Sequence, residues 1–207
     1  VRVLVTGFEP FGGHVLNASW DAVRALPARW EGPDELVTAR LPVTFAGAVD
    51  AVSRLLDAHA PDVVVCAGLA ERADAVRLER VAINVADARI PDNAGARPVD
   101  EPVVAGGPAA YLSTLPLKVA LAALRDAGIR AVVSNTAGTY VCNATFYAVE
   151  HLTAARDGTR AGFVHVPRAD ALPVEVTARA LEIVVRTTLD HLAGRVAEPA
   201  LAAGTEH

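Results

Sequence analysis

Strand-length apolar runs alternating with helical periods predict an α/β fold, a single three-layer α/β/α domain around a mostly parallel, twisted sheet. Three observations carry this expectation. The runs VRVLVTGF and PDVVVCAG are continuously apolar and contain or end in glycine, which suits strands buried on both faces. Between them, Phe45, Val49, Val52 and Leu56 recur at three- and four-residue steps, the spacing of a helix with one apolar face. Hairpin signals are scarce, so helices rather than tight turns must join consecutive strands.

VRVLVTGF supplies the first strand. Asn17 is placed to cap a helix that runs to about Leu26, with Pro27 near its end. ELVTARL reads as the second strand, TFAGAVDAVSRLLDAHA as the second helix, and PDVVVCAG as a strand closed by Gly68. Residues 76–87, VRLERVAINVAD, alternate like one strand. PDNAGARPVDEPVVAGGP is rich in proline and glycine and reads as a long surface excursion. A helix at PLKVALAALRDAG precedes the strand AVVSN, and another helix follows Cys142. The strand GFVHVP and a helix from about Pro173 to Ala193 complete the series, placing the domain at residues 1–195. The remaining 196–207 are small, polar and aperiodic, and are expected to fray.

Composition narrows the function classes. Apolar residues make up 52% of the 207, enough to fill a real core, and the net charge of −5 comes with no basic cluster. Nucleic acid is therefore a poor partner. No apolar run reaches the ~20 residues of a membrane span, so no membrane partner is expected. Two cysteines in an α/β pattern without an export signal point to a reduced, cytoplasmic protein. On the same ground, the acceptor-like triplets Asn17-Ala18-Ser19 and Asn143-Ala144-Thr145 read as accidental. His and Cys spacings match no metal pattern, and neither the dinucleotide fingerprint nor the P-loop occurs, so neither metal nor cofactor is expected.

In an open α/β sheet the functional crevice lies beyond the carboxyl ends of the strands. TGFEPFGG, the segment from Gly68, NTAGTYVC and His165 all fall at strand ends, and are expected to converge on one rim. Within this set Cys142 stands out. A lone cysteine is usually a small buried hydrophobe, and Cys66 in VVVCAG reads that way. Cys142 instead sits where a Gly-containing turn meets a helix start, and the unpaired N–H groups and positive dipole end there favour an anion. Its own amide is a candidate oxyanion donor.

A cysteine nucleophile wants a base. His151 lies nine residues down the same helix, ~13 Å along the axis, and cannot reach. His59 and His191 belong to polar helix faces, His207 to the tail, and His14, in the first loop, stays open. His165, in the apolar run GFVHVP, is the best placed, with a satisfied core histidine as the alternative. The third member should be an acid that orients the ring. Glu79 in LERVAIN shares a strand face with Val81 and Ile83, and a carboxylate on an apolar face needs a partner. Either a histidine or an arginine such as Arg72, Arg77 or Arg89 would serve. Phe8 and Phe11 in TGFEPFGG are either a pocket wall or core.

The segments TGFEPFGGHVLNASW, ERVAINVADARIPDN, SNTAGTYVCNATFY and GFVHVP, in this order and spacing, resemble the pyroglutamyl peptidase (pyrrolidone carboxyl peptidase) family of cysteine peptidases, over nearly the whole chain. The resemblance implies hydrolysis of N-terminal pyroglutamyl residues by a Glu-Cys-His triad at Glu79, Cys142 and His165. It implies an oxyanion role for Arg89 with the Cys142 amide, and a lactam pocket at Phe8, Phe11, Asn17, Leu69, Ile90, Tyr140 and Val141. It also implies a homotetramer. A neutral five-membered lactam suits an apolar slot with few polar groups. The chain departs from the family pattern at GLAERA, residues 68–73, where the family usually reads Gly-Gln-Ala-Gly-Gly-Arg. Arg77 stands where a small hydroxyl residue is usual, and VPRAD follows His165 in place of an aromatic continuation. Two other readings compete: a thiol hydrolase of another small cyclic amide or ester, and a catalytically silent protein that binds pyroglutamyl ligands.

Overall fold

The computed structural model describes residues 1–204. Its frame is a six-stranded sheet in the order β2-β1-β3-β8-β4-β7. The strands are β1 (Arg2–Phe8), β2 (Glu35–Leu41), β3 (Val63–Leu69), β4 (Val76–Glu79), β7 (Ala131–Ser134) and β8 (Arg160–Val166). Strands β2, β1, β3 and β8 run parallel, and β4 pairs antiparallel with β8 and parallel with β7. Two further short strands, β5 (Val81–Ile83) and β6 (Ala110–Leu112), form a separate antiparallel pair.

The helices are α1 (Ala18–Ala25), α2 (Phe45–His59), α3 (Leu117–Asp126), α4 (Val141–Thr153) and α5 (Val174–Leu192). They cover both sheet faces, giving three layers. Alternation along each strand decides which core a residue joins. Val3, Val5, Val63, Val65, Leu78 and Val164 pack with α1, α3 and α5. Leu4, Val64, Cys66, Ala161 and Phe163 pack with α2 and α4. Asn17 caps α1 as its sequence position implies, its side chain accepting from the Ser19 amide.

The structure corrects three expectations. Residues 76–87 are not one strand: pairing with the main sheet ends at Glu79, and Val81–Ile83 pair with β6 instead. Buried Ala82, rather than Val81 or Ile83, then points into the core. Strand β6 was hidden inside the stretch after the Pro/Gly-rich excursion. The excursion itself is looped, held by an Ala86–Glu101 bridge and by the buried Asp92 carboxylate, which accepts from Phe45, Ala94 and Ala96 amides. Finally, β7 runs against β8, so its carboxyl end at Ser134 lies level with Phe163. Three segments leave their strands on a common rim, but residues 135–140 must turn back to deliver α4 to it.

Asn143 ties this return to the rest of the domain. It is fully buried, donates to the carbonyls of Ile83 and Val85 and accepts from the Ile83 amide. Residues 197–204 have no regular structure, yet Leu201 and Ala203 pack on the core and Arg80 donates to the Ala203 carbonyl. His207 lies outside the described residues. Among the described residues no helix is long and apolar enough to cross a membrane.

Glu150, on α4, is buried, and its Oε1 has no partner among the described residues. Burial pushes its carboxyl up to about 9, only partly opposed by the Thr114 backbone. A pKa raised on folding means that the native state holds a proton the unfolded chain releases. Its stabilising share is complete below about 4.5 and is lost as pH rises towards 9. Glu150→Gln, neutral at every pH, should therefore stabilise the fold at pH 8 by on the order of 3 kcal/mol. The gain should vanish below pH 5 in denaturant titrations run across pH.

Candidate active site

Glu79 and His165 meet across the antiparallel β4–β8 junction. Arg77 lies directly opposite His165 and Glu79 opposite Phe163, so Glu79 and His165 are diagonal neighbours on one sheet face. The His165 Nδ1 and Glu79 Oε1 are 2.8 Å apart, and both residues are buried. The arginine partners that the sequence left open for Glu79 are not used. Its Oε2 has no partner among the described residues.

The Cys142 thiol is the imidazole's other neighbour: its sulfur lies against Gly68, which stands opposite His165 on the adjacent strand, and it is among the groups that raise the His165 pKa. Since Nδ1 faces Glu79, Nε2 is the nitrogen left for sulfur. Cys142 is the second residue of α4, after Tyr140 at the cap and Val141. The first backbone bond of the helix runs from Ala144 to the Tyr140 carbonyl, so the amides of residues 141–143 have no backbone acceptor. Gly68 makes room for the sulfur: a Cβ there would stand 2.9 Å from Cys142 Sγ and 2.7 Å from the Phe163 ring.

Burial alone would lower the His165 pKa. Cys142, with Glu79, outweighs it and pushes the imidazole up to about 9. Cys66 is a different kind of thiol: it is fully buried, and burial raises it to about 12. Both cysteines are free.

Beside Cys142 lies a small, tight cavity lined by Phe8, Phe11, Asn17, Val43, Leu69, Tyr140 and Val141. Phe8 is at once core and wall, 2% exposed. Phe11 and Tyr140 face each other at 6.4 Å between ring centres, and Phe45 supports Tyr140 edge-on at 5.4 Å. Asn17 contributes a wall but its amide is committed, donating to the Glu9 carbonyl and accepting from Ser19. Ile90 is the exception among the expected pocket residues: it is 48% exposed and does not line the cavity. Arg89 is exposed and unpaired among the described residues. Its segment runs beside the start of α4, where Asp87 bonds Thr139 and Pro91 accepts from the Tyr140 hydroxyl at 3.0 Å.

Val43 was missed in the sequence, although it follows the end of β2, next to β1, where the rim argument applies. Glu9 was also missed; its carboxylate accepts from the Val43 amide and from Asn93, holding the cavity's edge. His14, left open as a base, instead pairs with Glu71 at 2.9 Å, joining the first loop to the segment after β3. His151 stacks on Tyr147 and bonds the Tyr111 hydroxyl. Among the described residues no cluster of three or more His, Cys, Asp or Glu side chains could hold a metal ion.

Cys142 should be the main support of the raised His165 pKa. NMR titration of the His165 ring is expected to give a midpoint near pH 9, falling by about one unit or more in Cys142→Ala. Because the pKa is raised, the stability from these contacts is complete below about 6.5 and fades as pH rises through 9.

The family model described as pyroglutamyl peptidase matches residues 1–190. A pyrrolidone-carboxylate peptidase of Clavibacter michiganensis subsp. michiganensis is 52% identical over 196 residues, covering 90% of this chain and 92% of the relative. One from Thermococcus kodakarensis is 45% identical, over 93% of this chain and 98% of its own. The crystal structure of Bacillus amyloliquefaciens pyroglutamyl peptidase I superposes with a TM-score of 0.89 at 38% identity, over 92% of this chain and 98% of that one. The pyrrolidone carboxyl peptidase of Thermococcus litoralis gives 0.92 at 33% identity, over 97% and 99%. With the family model matched over residues 1–190 and relatives about half identical over nine-tenths of its length, the chain belongs to the pyroglutamyl peptidase family.

Proposed function

We propose that the protein is a cysteine exopeptidase that hydrolyses the bond after an N-terminal L-pyroglutamyl residue. The observation that carries this reading is the imidazole of His165, held by buried Glu79 on one side and meeting Cys142 at a helix start on the other. In this reading His165 takes the Cys142 proton, and the sulfur attacks the pyroglutamyl carbonyl carbon as a thiolate. The carbonyl electron pair moves to oxygen, where the free Cys142 amide and the Arg89 guanidinium stabilise the oxyanion. The C–N bond breaks as His165 delivers its proton to the leaving amine. Water then attacks the thioester, its proton passing to His165, and the sulfur departs as pyroglutamate is released.

The lactam occupies the cavity between Phe8, Phe11, Val43, Leu69 and Tyr140, whose apolar walls suit a ring without charge. Leu69, in place of the usual glutamine, serves there as wall, and any polar contact at that position must come from backbone. Ile90 has no wall to provide from its exposed position, so it takes no part in this reading. Glu79 positions the ring and does not exchange protons. A tetrameric assembly and a cytoplasmic setting belong to the same reading.

Release of a fluorescent amine from an L-pyroglutamyl amide tests it. Wild type should turn over and Cys142→Ala should lose activity by about 10⁴-fold or more. Glu79→Gln should fall by about 10²–10⁴ while still folded, since the ring loses its orienting acceptor. Unchanged activity in Cys142→Ala would sink the mechanism.

A further inference from the structure

Besides Arg89, the catalytic side carries a second arginine, Arg77, without a hydrogen bond or ion pair among the described residues. Arg77 stands directly opposite His165 in the β4–β8 pair, so the two side chains project from the same face. Its neighbours Val76 and Leu78 point into the core on the other side. The half-buried arginines Arg2, Arg80, Arg156 and Arg186 each donate to carbonyl or side-chain oxygens. Arg77 is equally half-buried but makes no hydrogen bond or ion pair among the described residues. A partly desolvated guanidinium without an acceptor is a recognition group awaiting an anion.

Its place relative to the reacting atoms says which anion. Gly68, His165 and Arg77 occupy one rung across three adjacent strands. The lactam cavity lies on the Leu69 and Phe8 side of that rung. With the lactam there, the leaving amine sits at His165, and the rest of the leaving residue extends towards β4. Adjacent strands are ~5 Å apart, so Arg77 lies one strand spacing beyond His165. A carboxylate on the leaving residue falls short of β4 itself, and the long arginine side chain can reach back to meet it. Beyond Arg77 on β7, Val132 is 42% exposed, so this side of the groove is open. Of the other cations on the rim, Arg168 is tied to Asp170, Arg72 is solvent-exposed, and Arg89, beside the start of α4, serves the oxyanion in the peptidase reading.

We propose that Arg77 is a specificity-determining residue that pairs with a carboxylate on the leaving residue, favouring pyroglutamyl dipeptides with a free carboxyl terminus. This rests on the peptidase reading above. The position, where the family usually carries a small hydroxyl, thus gives this chain a preference that a hydroxyl cannot supply.

The test compares kcat/KM for pyroglutamyl-alanine and pyroglutamyl-alanine amide in wild type, Arg77→Thr, Arg77→Lys and Arg72→Ala, with melting points to confirm folding. Wild type should prefer the free acid by about tenfold or more, as a charge-assisted hydrogen bond allows. Arg77→Thr should lose that preference while hydrolysing the amide within about twofold of wild type. Arg77→Lys should restore part of the preference, and Arg72→Ala should keep it whole. Pyroglutamyl-aspartate amide separates the two sources of a carboxylate: a rate equal to the alanine amide assigns the contact to the terminal carboxylate, and a faster rate lost in Arg77→Thr extends it to acidic side chains. Equal wild-type rates on acid and amide would overturn the proposal, as would a preference that survives Arg77→Thr or disappears in Arg72→Ala. Hydrolysis of neither substrate by folded wild type would instead overturn the peptidase reading itself.

Discussion

The site depends on one contact, the hydrogen bond between the Glu79 carboxylate and His165 Nδ1, closed at 2.8 Å inside the protein. A carboxylate with no exposed surface is tolerable only when its charge is answered nearby. The imidazole answers it, and in doing so is fixed in orientation, with Nε2 directed at the position where a thiol must sit. An exposed pair would be loose and screened; this one is neither.

The sheet's single change of direction makes the contact possible. Were β4 parallel to its neighbour, Glu79 and His165 would not share this diagonal. The same reversal carries β7 with it, which sends the chain away from the rim after Ser134 and obliges residues 135–140 to return. Asn143 fixes the return by clasping both the amide and carbonyl of Ile83. The absent side chain of Gly68 leaves space for the sulfur where it lands. Sheet topology, a buried amide and a glycine thus act together to bring three distant residues within reach of one another.

Much of this was legible in the sequence, because strand runs, helix periods and the Asn17 cap are local signals. Cys142 and His165 were legible because their positions at a helix start and a strand end are local too. The choice of Glu79's partner was not, since alternation shows which face a side chain takes but not which strand lies opposite. The break at Arg80 was also hidden: VRLERVAIN alternates without interruption, and only pairing with different partners divides it. Ile90 was expected in the pocket with its neighbours in the motif, yet the loop turns it outward, and Val43 takes a wall from a segment without a distinctive signature.

The central claim is that Cys142 is a nucleophile made ready by the buried Glu79–His165 pair. The most direct measurement is mass spectrometry of acid-quenched protein after mixing with an activated pyroglutamyl ester. The account predicts a pyroglutamyl adduct on the peptide containing Cys142, formed rapidly in wild type and slowly in His165→Ala, with Cys66 unmodified. An adduct that forms equally fast without His165, or that maps to any other residue, would contradict it.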